Sequence, residues 1–376
     1  MSTTSRDQSV GEAPGQPPTE RALPTWLGGG SRSEVARRFL RQAGVLPALA
    51  LVFLVGAIFV PGFIHGSNLL DTVETASVIG LLAIGQGFVI ITGGAGIDLS
   101  VGATLALASV VGAHFLAHGP VVIIIVTLAT GLFMGLINAT GVAVTGMQPF
   151  IMTLATLTIA RGAANYISNA NPTTLTGSAA LHWLSGSVVG IPVPIIVFVV
   201  AALIGQLVLG RTIWGKQLYV MGGNEEAARF AGIPVVSRRM LVYVISGLCA
   251  GIAALLLMSR LGTADPNFAN GYELSSIAAV VVGGAPLTGG QGSIVGAAAG
   301  VLIIQLITDM LGLLSVNPFI QQVVTGLIVI IVVGLNRRGR ESGLRDLLRA
   351  VPLAVLLVIA FIIMFTVLSG GVGTQQ

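Results

Sequence analysis

Few residues in this chain are equipped for chemistry, and most of those lie in or beside long apolar runs. Asp98 and Ser100 stand in ITGGAGIDLSVGA, from Ile91 to Ala103, where glycines interrupt what would otherwise be a continuous helix. An ionised carboxylate at mid-bilayer is expensive. Asp98 therefore admits two readings: a gate or a place beside a solute path, or a cap, with Ser100 as the other candidate, for a helix beginning near Leu99. Arg161 also falls inside an apolar run and must find a carboxylate, Asp98 among them, or backbone carbonyls or water. Asn138, Phe150, Thr153 and Asn165 complete the candidates for a translocation path or gate, with Gln148 and Asn169 close by in sequence. Amides at such positions either line a polar conduit or hydrogen-bond from helix to helix.

No other constellation competes with these. The four histidines are scattered and make no metal-ligand spacing, and the single Cys249, in an apolar run, reads as a packing residue. Gly210 to Lys216 matches GxxxxGK, but Gln217 stands where a magnesium-holding hydroxyl belongs, and no soluble strand precedes it. The chain is expected to hold no cofactor, no metal and no nucleotide, and to be no enzyme. If ATP drives it, the ATPase is a separate subunit.

The elements that position these residues are membrane helices. The sequence is 54% hydrophobic and 9% charged, with a mean hydropathy of +0.94, against about 25% charged in a soluble domain. Its 51 glycines suit helices that pack closely or break inside a bilayer. A basic balance would point a soluble protein toward nucleic acid. Here Lys and Arg cluster before Val45, between Arg211 and Arg239, and between Arg337 and Arg349, the pattern of cytoplasmic segments, so the partner is membrane lipid and not nucleic acid.

Residues 1–44, rich in Ser, Thr, Pro, Gly and Arg, read as a disordered cytoplasmic tail with a short basic helix from Ser33 to Gln42. Runs long enough to cross the hydrocarbon are 45–62, 75–92, 99–117, 120–144, 149–168 and 189–210, then 240–260, 273–288, 292–311 and 318–335. Six before the central basic loop and four after it keep the basic segments on one side. The expected fold is an all-α polytopic membrane protein of about ten core helices. A basic loop, 337–349, follows, and then an eleventh span, 350–369, that would carry the C-terminus outside.

Two segments break the helical pattern, 91–103 and GGAPLTGGQGSIVGAAAG from Gly283 to Gly300. Backbone at membrane depth leaves helical geometry only where protein or a wet cavity satisfies it, and transporters place such breaks near their pathway. Gly292, Gly296 and Gly300 form a double GxxxG, which means close helix contact within the chain or between two copies. In the basic loop, Asn224 can cap a short helix whose first turn carries Glu225 and Glu226. Ala227 and Ala228 favour helix, Arg229 suits its C-terminal end, and Gly232 with Pro234 stops it before and after Ile233. About two turns cannot stand alone in water. The helix either presents a knob to a partner at the cytoplasmic face or is an ordinary connector.

These residues resemble the permease subunits of bacterial ABC importers for ribose, xylose and related monosaccharides. The resemblance runs from about Leu46 to Arg337. It rests on GIDLSVGA (Gly96–Ala103), PFIMTLATLTIARG (Pro149–Gly162), GGNEEAARFAGI (Gly222–Ile233), GYELSSIAAVVVGG (Gly271–Gly284) and LTGGQGSIVGA (Leu287–Ala297). It implies an inner-membrane homodimer of ten-helix subunits and a cytoplasmic ATPase with two nucleotide-binding modules. It also implies a periplasmic or lipid-anchored sugar-binding protein and alternating access, with Asn224–Ile233 as the coupling helix. The chain departs from the family around Gly94 and Ala95, which lengthen the usual TGGIDLS, at Ala139, where Gly is usual, and at Ser275, in place of an acidic residue. The competing class is an ion-coupled secondary transporter, which would need buried carboxylates along a path. After Asp98 only Asp309 qualifies.

Overall fold

The structure, a computed structural model, describes residues 45–175 and 182–338. The expected tail 1–44, nearly all of the basic loop 337–349 and the expected span 350–369 lie outside the described residues. Thirteen α-helices follow one another among the described residues: α1 (Leu46–Phe59), α2 (Gly66–Ile91), α3 (Val101–His114), α4 (Pro120–Ala139), α5 (Pro149–Ser168), α6 (His182–Ser185), α7 (Val193–Arg211), α8 (Ile213–Gly223), α9 (Glu225–Phe230), α10 (Val235–Leu261), α11 (Tyr272–Val282), α12 (Ile294–Leu313) and α13 (Pro318–Arg338). A π turn, Thr140–Val144, extends α4. Proline at the first or second position opens α1, α4, α5 and α7, where its fixed φ fits and its missing N–H costs no helical bond.

Helix α2 with its neighbour α10 forms the centre. Every residue from Ala76 to Ile91 is buried, so α2 has no lipid or water face over that length, as a core helix should. Helix α10 packs beside it, and α4 closes on α10 through a seam of bare backbone. A Cβ on Gly131 would lie 2.4 Å from the Gly247 carbonyl oxygen, and one on Gly247 would lie 2.3 Å from that of Gly131. Gly135 and Gly251 repeat the contact one turn along, so two GxxxG faces meet reciprocally. Helices α5 and α7 instead expose Ile151, Leu154, Ile159, Leu203, Ile204 and Leu207.

Five helical segments are long and apolar enough to cross a membrane: α2, α4 with its π turn, α7, α10 and α12. The shorter apolar helices are α1, α3, α11 and Pro318–Ile328 of α13. The all-helical membrane class expected from composition is therefore the one observed, with several boundaries corrected. The run 273–288 is helical only to Val282. Beyond it, Gly284, Gly289, Gly290 and Gly292 take positive φ, and the freed backbone finds a partner in α2, Gly290 N–H donating to the Ile91 carbonyl (2.9 Å). The run 75–92 begins at Gly66, because Arg260 at the end of α10 pairs with Asp71 and Glu74 and bonds Thr75 (2.7 Å), which makes that polar turn part of the helix. The run 99–117 is helical only from Val101 to His114, with a 3₁₀ turn after it. The central polar stretch contains α8 as well as the short helix, started by Thr212 Oγ1 accepting from Gly215 N–H (3.0 Å).

Gly296 and Gly300 lie on α12 and meet α11 of the same chain. Their added Cβ atoms would stand 2.3 Å from the Gly283 carbonyl oxygen and 2.0 Å from that of Ala279. Gly292 is a correction: it precedes α12, at φ +127°, against Ala285. At the end marked by Arg260, two antiparallel ribbons join loops. β1 (Thr173–Thr174) pairs with β4 (Thr263–Ala264), and β2 (Ser187–Val188) pairs with β3 (Ile191–Pro192).

Candidate functional site

The loop between α2 and α3 carries Asp98 into the protein interior, where its side chain is 1% exposed. Its carboxylate collects donors from three helices or their ends. Ser100 donates to Oδ1 through both its N–H (2.9 Å) and its hydroxyl (2.7 Å). The Asn138 amide of α4 donates to Ser100 Oγ (2.8 Å) and, more distantly, to Asp98 Oδ1 (3.4 Å). Ser246 of α10 donates to Oδ2 (2.8 Å). With its amide oriented to satisfy both groups, Gln86 of α2 donates to the Asp98 carbonyl (3.1 Å) and accepts from the Asp98 N–H (3.2 Å). Ser246 reaches this point because Gly85 lets α10 come close: a Cβ there would lie 2.8 Å from the Ser246 Cα.

Of the two cap candidates, Ser100 makes no side-chain cap to α3. Asp98 instead closes an Asx turn on the Ser100 N–H just ahead of the helix. Thr153 joins the same loop, its hydroxyl bonding Pro149 (2.8 Å) and Ile97 (3.3 Å) carbonyls. The other candidates stand apart. Arg161 donates to the carbonyls of Pro266 and Phe268 (3.0 Å for the latter) and makes no contact with Asp98. Asn165 bonds the Arg161 carbonyl (2.9 Å), and Phe150 is exposed on α5. Sequence reading missed Gln86 and Ser246. Both lie in the apolar stretches of α2 and α10, where a lone amide or hydroxyl was the available signal.

At the basic end, α9 is built as local chemistry dictates. Asn224 Oδ1 accepts from Ala227 N–H (2.9 Å), and Gly232 at φ +76° ends the turn while Ile233 N–H bonds the Ala228 carbonyl (3.0 Å). Ala228 is buried, whereas Glu226, Ala227, Arg229 and Phe230 face outward, Phe230 being 86% exposed. Glu225 bonds Arg229 (2.8 Å) on its own helix and Arg239 (2.6 Å) on α10. The Arg239 guanidinium holds the Glu225 carboxyl below the ordinary value of 4.5, against the opposing pull of partial burial and with help from Arg229. The clamp is therefore complete above that value and is lost only as pH falls through the lowered one. Arg238 is fixed by Gln217 of α8 (2.7 Å), the residue that spoiled the nucleotide-loop pattern. An open hollow lined by Ile233, Pro234, Val235, Val236 and Met240 lies beside Arg229.

The end of α8 ties α9 to both broken segments. A Cβ on Gly222 would lie 2.0 Å from the Ile91 carbonyl oxygen and 2.3 Å from Gly290 N, and one on Gly93 would lie 2.8 Å from the Gly222 Cα. A Cβ on Gly289 would lie 2.4 Å from the Gly93 Cα. Gly93, Gly94, Gly289 and Gly290 all have positive φ, where a side chain would be strained. Arg239 also lies against Gly94, and Tyr219 of α8 donates to the Gly292 carbonyl (2.7 Å). Three separate stretches of chain thus meet backbone to backbone at the root of α9.

Residues 68–333 match the family model described as branched-chain amino acid transport system, permease component. The chain is 40% identical over 303 residues to the ribose import permease protein of Bacillus subtilis, covering 80% of this chain and 94% of that one. It is 37% identical over 303 residues to the D-allose transport system permease protein of Escherichia coli, covering 80% and 92%. To the L-arabinose transport system permease protein of the same bacterium it is 36% identical over 317 residues, covering 81% and 93%.

Proposed function

The chain belongs to the branched-chain amino acid transport system, permease component family, and on that premise we propose that it is the multi-pass inner-membrane subunit of a monosaccharide importer powered by a separate ATP-binding subunit. The relatives named for ribose, D-allose and L-arabinose support a sugar as cargo. The observation that carries the mechanism is α9: a capped knob with an exposed face, joined at its root to both broken segments. Movement imposed on such a knob passes directly into the backbone that carries Asp98. Asn224 to Ile233 is therefore the element that docks in a cytoplasmic ATPase of two modules, and Asp98, Ser100, Asn138 and Thr153 lie on the mobile part of the path.

The remaining assignments follow from this reading. Ten spans arise from the five long apolar helices, the four shorter ones and α5, which carries Arg161. The N-terminus is cytoplasmic, and ten spans return the chain to that side; the expected eleventh span, 350–369, outside the described residues, would carry the C-terminus to the other. A sugar-binding protein delivers cargo to the end bearing the ribbons β1–β4 and β2–β3, and a second copy of the chain completes the conduit. An ion-coupled carrier is less well supported. Asp309 bonds Asn68 (2.8 Å), which at ~1.5 Å per residue lies about 27 Å along α2 from the Gln86 that holds Asp98.

Vesicles containing the permease, its two-module ATPase and its binding protein should take up a labelled pentose or hexose only with ATP inside the compartment that holds the ATPase. A cysteine at Phe230 should crosslink to that ATPase, whereas one at the buried Ala228 should not. Uptake by the permease alone, or uptake unaffected by scrambling 224–232, would overturn the reading.

A further inference from the structure

Asp98 presents an imbalance that its hydrogen bonds do not remove. A carboxyl group in the interior of a membrane helix bundle stays ionised only beside a compensating positive charge and is otherwise neutralised by a proton. Among the described residues, no Lys, Arg or His lies within ion-pair distance of it, the nearest groups all being neutral. Two oxygens close in sequence to those donors are also buried without a partner. One is Asn138 Oδ1, whose amide nitrogen already touches Ser100 and Asp98. The other is the hydroxyl of Tyr243, one turn before Ser246 on α10. Orphaned buried polar atoms in a satisfied interior ask for an explanation, an ion among them.

We propose that Asp98, Ser100, Asn138 and Ser246 form a binding site for a monovalent cation of sodium's kind, buried between α2, α3, α4 and α10. Hard cations take oxygen ligands, and this cluster supplies them. Both Asp98 oxygens are present, and the two serine hydroxyls can turn their hydrogens away to offer lone pairs. Half a turn of the Asn138 amide exchanges its nitrogen for the unpartnered oxygen without moving the backbone. One carboxylate matches one positive charge, which favours a monovalent ion over calcium or magnesium. The set is neutral with the ion in place. Because its ligands come from the loop and from two helices, α4 and α10, occupancy pins that loop to the centre of the bundle. The inference depends on neither the solute nor the ATPase, and it stands or falls apart from the transport reading.

The test uses the purified full-length chain in nanodiscs, at constant chloride, with sodium, potassium or choline as the cation. Sodium is expected to raise the unfolding midpoint saturably, by about 2 °C or more at concentrations well above its dissociation constant. Labelled sodium should bind at one ion per chain and be displaced by unlabelled sodium. Asp98→Asn, which keeps the volume and an acceptor oxygen, should abolish both signals, and Ser246→Ala should weaken binding several-fold. A response to potassium instead of sodium, or to both, supports the site with a different size preference. Equal midpoints in all three salts with no bound sodium in the unmutated chain overturn it, as does a full sodium response in Asp98→Asn. Such results would leave a proton or an ordered water as the tenant of the knot.

Discussion

The loop joining α2 to α3 is gripped twice, a few residues apart, in opposite ways. At Asp98 it is held by side chains: two hydroxyls, two amides and a carboxylate drawn from four elements. At Gly93 it is held by backbone alone, pressed against Gly222 and Gly289 with no room for a methyl group. Side-chain contacts adjust by rotating, so the first grip can loosen, reform or admit a ligand. The second has nothing to rotate. A close-packed backbone crossing either stays intact or moves as a unit, which makes it suited to transmit displacement. The molecule places its rigid joint at the root of the α9 knob and its adjustable one deeper in the bundle.

The sharpest way to break this contrast is Gly222→Ala. The new methyl must displace two backbones, so a loss of about 3 kcal/mol is expected, read as a collapse in folded yield on size-exclusion chromatography. A well-tolerated Gly222→Ala would mean the joint is loose and the comparison mistaken. Next is Asp98→Ala, which leaves the donors of Ser100, Asn138 and Ser246 unanswered and should cost about 2 kcal/mol. Thermal unfolding would show it, and Asp98→Asn should lose clearly less if side chains there do adjust. The smallest effect is Asn224→Ala, which removes the α9 cap at a cost of about 1 kcal/mol. Its expected signature is less sugar transported per ATP with an unchanged folded yield, and Asn224→Asp should restore it.

How much of this was legible in the sequence depends on the range of the interaction involved. The α9 helix was readable because its determinants are local: Asn224, Glu225, Gly232 and Pro234 act within one or two turns. The span 149–168 was likewise set by Pro149 and an uninterrupted helical run. Helix α8 escaped because Lys216, Gln217 and three glycines make its stretch look like loop, while its stability comes from packing Leu218 and Met221, both buried. Asp98 was visible as an oddity, but its partners Gln86 and Ser246 are long-range and only folding reveals them. Arg161 illustrates the same limit. Its charge called for acceptors, and the carbonyls of Pro266 and Phe268, more than a hundred residues on, are ones no local pattern could name. The glycine spacing at 131–135 and 247–251 was present in plain view and became informative only when the two pairs faced each other.

That seam has a consequence for the knot beside it. Ser246 immediately precedes Gly247, and Asn138 follows Gly135 by three residues, so both hang from the edge where α4 and α10 touch. The interlocked glycine faces hold α4 and α10 in one register along the axis, because a shift would bring side chains where only bare backbone fits. A slip of one residue, about 1.5 Å, would carry Ser246 and Asn138 out of step and leave Asp98 facing only one of them. The polar cluster is thus complete only at the one alignment that the glycine seam fixes.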